Sequence, residues 1–224
     1  MSKTHGPHHI PFAGRFHFER GELIADGVVH AVGILLAIVA GAALLVLAWP
    51  YAGRAEYVAA LFYVVSLTTV FSVSCAYNLW PISPTKWLLR RFDHAAIYLL
   101  IAGTYSPFLA LLDEAGLMLA LVWGAAAIGI FIKLALPGRF DRLAILFYLA
   151  IGWSGVLVAD SLAETLSSRT LLLIAAGGVA YTSGVIFHVW HDMKYNTAVW
   201  HGFVVTGAAL HLAAVTDALV LNIS

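Results

Sequence analysis

The stretch that decides the fold is DHAAIYLLIAGTYSPFLALL, residues 93–112. Its last 18 residues carry no charged side chain, whereas Arg90, Arg91 and Asp93 stand just before them. At about 1.5 Å per residue, a helix of that length nearly crosses a hydrocarbon layer of about 30 Å. The stretch therefore predicts a transmembrane helix with polar and charged residues at one end.

Six further apolar runs of comparable length are joined to it by short connections that hold most of the charge. The 224-residue chain is 62% hydrophobic and 11% charged, against about 25% charged in soluble domains. The pattern predicts an all-α fold, a seven-helix transmembrane bundle over residues 23–224, after a polar segment at 1–22. The six other runs are 24–49, 57–80, 117–136, 143–159, 170–190 and 198–221.

The lysines and arginines predict the orientation of this bundle. Loops on the cytoplasmic side of a membrane are enriched in both residues. With a cytoplasmic N-terminus, ten of the twelve lie inside, and only Arg54 and Arg169 lie outside. We therefore expect the N-terminus inside, the polar segment 1–22 in the cytoplasm and the C-terminus outside.

Small residues repeat along one face of the first run. Gly33, Ala37 and Gly41 are four residues apart, and small residues at that spacing let two membrane helices approach closely. This pattern predicts a packing surface.

Polar residues from four different runs gather at the predicted cytoplasmic end. Residues four apart share a helix face, and an ionisable group inside a span costs about 2.5–3.5 kcal/mol on insertion scales. Such groups favour the bundle interior, so together they predict a polar pocket open to the cytoplasm. The alternative is that these side chains extend to the membrane interface, where water solvates their polar ends. The pocket residues are Glu22, Asp26, His30, Ser74, Asn78, Asp93, His94, Thr197 and His201.

Net charge and cysteine content limit the expected binding partners and the possible disulfide bonds. The formal net charge is zero, so nothing favours nucleic acid as a partner, and membrane lipids are the expected one. Cys75 is the only cysteine, which excludes a disulfide within the chain.

His211 lies in the middle of the seventh run, where a hydrogen bond to a neighbouring helix is the expected role.

Four stretches resemble the hemolysin III family, the bacterial branch of the progestin and adiponectin receptor superfamily. They occur in the family's order, and the second is the most specific. The resemblance implies a seven-helix membrane protein with a cytoplasmic N-terminus in a bacterial inner membrane. The stretches are ERGELIADGVVHAVG, RRFDHAAIYLLIAGTYSPF, AAGGVAYTSGVIF and WHGFVVTGAALH, which begin at residues 19, 90, 175 and 200.

The resemblance also implies a zinc site, and this chain matches it only in part. Family members with a metal hold zinc through one histidine of the second span and two of the seventh, with a nearby aspartate on the third. Here His201 and Asp93 match, whereas Asn78 and Thr197 stand where the other two histidines belong. Amide and hydroxyl groups are poor zinc ligands. The family site is therefore expected to be degenerate, unless Asp26, His30 and Asp93 complete an altered site with His201.

Three functions remain open from the sequence. The first is a lipid-related role in membrane homeostasis without catalysis. The second is a metal-dependent hydrolase of lipid amides, as the superfamily's ceramidase-like members imply, with Asp93 as the catalytic carboxylate. The third is the pore formation for which the family is named, although no charged stripe along the spans indicates a wide channel.

Overall fold

A computed structural model describes residues 19–221, apart from the side chain of Arg142. All regular secondary structure within this range is helical. Most of the polar segment 1–22, and the last three residues, lie outside the described part of the chain. The helices are α1 (Arg20–Ala48), α2 (Arg54–Leu79), α3 (Pro84–Leu109), α4 (Gly116–Ala135), α5 (Asp141–Gly152), α6 (Ala159–Thr165), α7 (Ser168–Val189) and α8 (Asn196–Thr216, continued by a π-helical turn, Asp217–Leu221).

Six segments of the described chain are long and apolar enough to cross a membrane. They are α1, α2, α4, α7, α8 and the segment Leu143–Thr165, which combines α5 and α6. Large apolar side chains cover their outer surfaces; Leu117, Leu157 and Leu172 are each at least 70% exposed. Water would penalise so extensive an apolar surface, whereas hydrocarbon does not.

Helix α3 begins earlier than the apolar run predicts. Ser83 precedes it, and its hydroxyl accepts a hydrogen bond from the Lys86 backbone N–H at 3.3 Å. Pro84 occupies the first turn, where a missing N–H costs nothing. Asp93 and His94, expected to open this helix, therefore lie in its interior, nine and ten residues beyond its start.

The fifth apolar run does not form one continuous helix. The α-helical pattern stops at Gly152, and a 3₁₀ segment, Ser154–Val158, separates α5 from α6. The Tyr105 phenol of α3 accepts a hydrogen bond from the Gly155 N–H at 2.7 Å and donates to the Gly152 carbonyl at 2.8 Å. A side chain from another helix thus satisfies backbone groups that a break within lipid would leave unpaired.

The helices surround a central space. Helix α1 packs on α2 and α8, α2 packs on α3, α3 on α4, and α7 on α8. Helices α5 and α6 pack less extensively and complete the side between α3 and α7. The N-terminal end of α8 thereby meets the N-terminal half of α1, and the C-terminal end of α2 lies beside them.

The small-residue stripe of α1 packs closely against α2, as predicted. Gly33, Ala37 and Gly41 are all buried. A Cβ atom at Gly33 would lie 2.8 Å from the Phe71 ring, and one at Gly41 would lie 2.8 Å from the Val64 side chain. No real Cβ contact is that short, so glycine sets the separation of the two helices.

Replacement of Gly33 by alanine should therefore destabilise the bundle. We expect Gly33→Ala to cost about 1–3 kcal/mol, because the methyl group forces the buried Phe71 ring to move. Gly27→Ala is the matched control on the same helix, since its Cβ would meet Leu79 at an ordinary 3.6 Å. Thermal unfolding in one detergent compares the variants. A Gly33→Ala midpoint equal to that of Gly27→Ala would contradict the packing argument.

Candidate functional site

A cavity of about 970 Å³ occupies the space between the helices. Its wall is apolar over α2, α3 and α8, where Phe71, Leu100 and Val204 contribute. One end is polar; we call His30, Ser74, Asn78, Asp93 and His201 the polar end of the cavity. Eight of the nine sequence-derived pocket residues line this cavity: Glu22, His30, Ser74, Asn78, Asp93, His94, Thr197 and His201.

The ninth residue, Asp26, joins two histidines of the polar end. Its carboxylate accepts a hydrogen bond from Nδ1 of His201 at 2.6 Å, which connects α1 to α8. One turn further along α1, Nδ1 of His30 donates to the Asp26 backbone carbonyl at 2.8 Å and lies 3.5 Å from its carboxylate. The two imidazole rings are 4.4 Å apart between centroids.

These contacts assign the tautomers of both neutral rings. A carbonyl or carboxylate oxygen can only accept, so the proton of each neutral ring is on Nδ1. Nε2 of His30 and of His201 then carries a lone pair. Nε2 of His30 is fully buried and has no hydrogen-bond partner within the described residues.

Asn78 and Thr197 use their polar atoms locally. The Asn78 amide donates to the Ser74 carbonyl at 2.9 Å and to the Ser74 hydroxyl at 3.2 Å, one turn earlier on α2. The Thr197 hydroxyl donates to the Asn196 side chain at 3.3 Å. The donor set expected from the family resemblance therefore does not fit here, because an amide and a hydroxyl replace two imidazoles.

Asp93 and His94 are neighbours on α3, and Nδ1 of His94 lies 3.8 Å from the Asp93 carboxylate. Asp93 interacts with His201, Ser74 and Asp26 at the polar end, and it also interacts with Arg90. Nδ1 of His94 instead donates to the Arg90 carbonyl at 2.7 Å. The His94 carbonyl accepts from the Tyr148 hydroxyl of α5 at 3.0 Å.

Glu22 binds the backbone just before α8. One carboxylate oxygen accepts from the Glu19 N–H at 2.9 Å, and the other accepts from the Tyr195 N–H at 3.0 Å. Tyr195 precedes α8 in a left-handed conformation, with φ of 62°, which costs a residue with a Cβ about 1–2 kcal/mol. Glu22 therefore supports the loop that positions Thr197 and His201.

The sequence interpretation missed a charged cluster that lines the same cavity. Arg90 donates to Asp141 at 2.7 Å, and the buried Lys133 donates to it at 2.8 Å. Burial alone would raise the pKa of Asp141, but these two hydrogen bonds outweigh it and lower the pKa to about 2. Asp141 thus stays charged at every physiological pH. A lysine inside an apolar run, here Lys133, is the signal that could have indicated this cluster.

His211 makes the contact expected of a histidine in the middle of a span. Its Nε2 donates to the Ile174 carbonyl of α7 at 3.1 Å, which confirms the predicted hydrogen bond to a neighbouring helix. The ring packs on Gly177, where a Cβ atom would lie 2.5 Å away. His211 also lines the cavity, ten residues beyond His201 on α8, or about 15 Å along the helix.

The chain is similar to known proteins over most of its length. Residues 21–212 match the family model described as Haemolysin-III related. The chain is 35% identical to the Hemolysin-3 homolog of Bacillus subtilis over 84% of this chain and 90% of that protein. It is 34% identical to Hemolysin-3 of Bacillus cereus over 84% and 88%.

A similarity of the same kind extends to animals. The chain is 31% identical to the human monocyte to macrophage differentiation factor, over 93% of this chain and 89% of that protein. The four stretches quoted from the sequence lie within the matched range 21–212, apart from the first two residues of the earliest stretch. The chain belongs to the haemolysin III family of membrane proteins.

Proposed function

We propose that this protein binds an amphiphilic lipid between its helices and acts in membrane lipid homeostasis. The observation that carries the proposal is the cavity, which combines a polar end with a long apolar wall. Ligand cavities have volumes of about 300–1,000 Å³ and are mostly apolar, with a few polar groups that fix orientation. A lipid head group fits the polar end, and its hydrocarbon chain fits the wall formed by α2, α3 and α8.

The polar groups of the cavity support a lipid with hydrogen-bonding head-group atoms. The cavity lining includes two carboxylates, Asp93 and Asp141, and two cations, Arg90 and Lys133, so a strongly charged head group is not favoured. Imidazole and hydroxyl groups donate or accept as needed. Hydroxyl and amide head groups match this mixture, because each both donates and accepts hydrogen bonds.

A bulky side chain on the apolar wall should narrow the cavity and exclude the bound lipid. Ile97→Trp places an indole ring at a cavity-lining position of α3. We expect it to lower the amount of lipid retained per protein molecule at least tenfold, because the ring fills space that the hydrocarbon chain of the lipid needs. Mass spectrometry of lipids extracted after detergent exchange gives the ratio.

The matched control is Leu88→Trp, at a position on α3 whose side chain is 48% exposed. It should retain lipid like the wild type. Circular dichroism and size-exclusion chromatography establish that both variants fold. Equal retention by the folded Ile97→Trp variant would contradict lipid binding in this cavity.

We further propose that α3 is a seventh span, that the N-terminus is cytoplasmic, and that the protein resides in a bacterial inner membrane. Helix α3 has 26 residues, enough for about 39 Å. Several of its polar residues, among them Asp93, Thr104 and Tyr105, line the cavity, so they lower its mean hydropathy without facing lipid. The excess of lysine and arginine on one side supports the orientation.

Single cysteines on either side of α3 test this topology. In a Cys75→Ala background, Glu114→Cys should react with a membrane-impermeant maleimide in intact cells, because it lies beyond the outer end of α3. Ile82→Cys, before the inner end, should react only after permeabilisation. Gel-shift labelling measures both. Reaction of the two cysteines from the same side would eliminate α3 as a span.

A second candidate function is hydrolysis of an amide bond in the bound lipid. It is favoured by one specific observation: Asp26, His30 and His201 present ligand atoms within 4.8 Å of one another, and Asp93 interacts with His201. A divalent metal at such a group supplies an electrophile for the carbonyl and a nucleophilic water near neutral pH. The carboxylate of Asp93 would then hold or accept a proton at the polar end.

Release of fatty acid from a short-chain ceramide tests this function. If the candidate is correct, the purified protein with added Zn²⁺ turns over, and Asp93→Asn lowers the rate by about 10²–10⁴-fold, since a positioned acid or base contributes that much. Asp113→Asn is the matched control, the same substitution at an exposed position after α3 that is not among the described cavity-lining residues. Absence of turnover in the wild type, or equal loss in the Asp113→Asn control, would exclude catalysis by Asp93.

A further inference from the structure

The charged cluster of Arg90, Lys133 and Asp141 is a second polar part of the cavity, separate from the polar end. Its three residues belong to α3, α4 and α5, and all of them line the cavity. One oxygen of the Asp141 carboxylate accepts a hydrogen bond from Nζ of Lys133 at 2.8 Å, and the other accepts one from Arg90 at 2.7 Å. The cluster therefore joins three walls of the cavity at one carboxylate.

The charged cluster keeps hydrogen-bonding capacity that the protein does not use. The Lys133 ammonium carries three N–H donors, and its bond to Asp141 is the only one that it makes to the described residues. Lys133 is 3% exposed, so its remaining donors need partners inside the bundle. A carboxylate such as Asp141 also offers about four lone-pair positions. Donors and acceptors thus stand side by side, and a ligand hydroxyl can use both.

The charges around the cluster favour an uncharged ligand. Asp93 lies one turn beyond Arg90 on α3 and interacts with it, so two carboxylates and two cations line this side of the cavity. The hydrogen bonds from Lys133 and Arg90 lower the pKa of Asp141 and keep it charged. The four charges therefore cancel, and a further charge from a ligand would be buried without a counter-ion, which is unfavourable.

Helix α5 places a small side chain and then an apolar surface next to the cluster. Asp141, Ala144, Ile145, Tyr148 and Leu149 all line the cavity, and their spacing of three and four residues puts them on one helix face. The small Ala144 leaves room for a ligand group beside the carboxylate, and Ile145 and Leu149 continue the face with apolar side chains. An amphiphile can therefore place its head group at the cluster and its hydrocarbon chain along α5.

We propose that the charged cluster binds the hydroxyl groups of an uncharged, polyhydroxylated lipid head group of the sugar or glycerol class. One hydroxyl accepts a hydrogen bond from Lys133 while its neighbour donates one to Asp141. Hydroxyls on adjacent carbons suit this pair, because their oxygens are about as far apart as the 2.8 Å between Nζ and Oδ1. The inference rests on the proposed lipid binding and specifies the class of head group.

Selective retention of a glucosyl lipid tests the head group. The full-length protein is placed in phosphatidylcholine nanodiscs that contain equal mole fractions of monoglucosyl diacylglycerol, diacylglycerol and phosphatidic acid with identical acyl chains. After extraction in a detergent without sugar groups, mass spectrometry measures each lipid per protein molecule. We expect the glucosyl lipid to exceed each of the other two about tenfold, the effect of one added hydrogen bond to a charged group. Excess glucose should not displace it, because free sugar lacks the hydrocarbon chain.

Two variants assign the preference to the charged cluster. Lys133→Met removes the unused donors, and Ala144→Leu fills the space beside Asp141 without a change of charge. Each should reduce retention of the glucosyl lipid to that of diacylglycerol. Lys194→Met is the matched control, because Lys194 is an exposed lysine that pairs with Glu19 and is not among the described cavity-lining residues. It should keep the preference of the wild type. Circular dichroism and size-exclusion chromatography establish that each variant folds.

The outcomes separate this inference from the proposed function. A folded wild type that retains none of the three lipids would overturn both. Equal retention of the three lipids, or a preference for phosphatidic acid, would overturn the head-group assignment and leave lipid binding in place. Displacement of the glucosyl lipid by glucose would show that the site takes a soluble sugar and not a lipid. An unchanged preference in folded Lys133→Met and Ala144→Leu, or an equal loss in Lys194→Met, would remove the site from the charged cluster.

Discussion

The architecture depends on one hydrogen bond, that from His201 to the Asp26 carboxylate at 2.6 Å. Asp26 is 4% exposed in a bundle whose outer surface is apolar. A carboxylate buried there without a partner would cost several kcal/mol, so the first and last long helices must meet where their polar groups match. That meeting completes the ring of helices, and the cavity is the space that the completed ring encloses.

The composition of helix α3 reflects the same requirement that polar groups lie inside the bundle. Several of its polar residues line the cavity, and side chains such as Leu88 and Phe92 face outward. The helix is therefore less apolar than its neighbours, although it packs on both α2 and α4. Contact with hydrocarbon requires only an apolar outer face, so polar residues that face the interior do not by themselves exclude a helix from a membrane.

Much of the fold could be predicted from the sequence, because helix length and small-residue spacing are local properties. Apart from α3 and the interrupted fifth run, the apolar runs mark the helices within a few residues, and Gly33 and Gly41 indicate the contact of α1 with α2. The grouping of polar residues follows from depth, since residues at one depth on several helices have few other places to lie.

The early start of α3 was missed because Ser83 and Pro84 act outside the apolar run. The break after Gly152 was missed because Tyr105, which pairs with its backbone groups, is 47 residues away. No spacing rule could assign Asp26 to His201, since that contact joins positions 175 residues apart.

The break between α5 and α6 also affects how the cavity can be reached. The segment Leu143–Thr165 is the least buried of the six apolar candidate spans, and few contacts besides the Tyr105 and Tyr148 hydrogen bonds hold it to α3. Displacement of this segment would therefore disrupt less packing than displacement of the other candidate spans, and in the proposed membrane setting a gap on that side would face hydrocarbon. We expect a ligand to enter from the bilayer plane, so that occupancy follows its mole fraction in the membrane and is insensitive to its concentration in water.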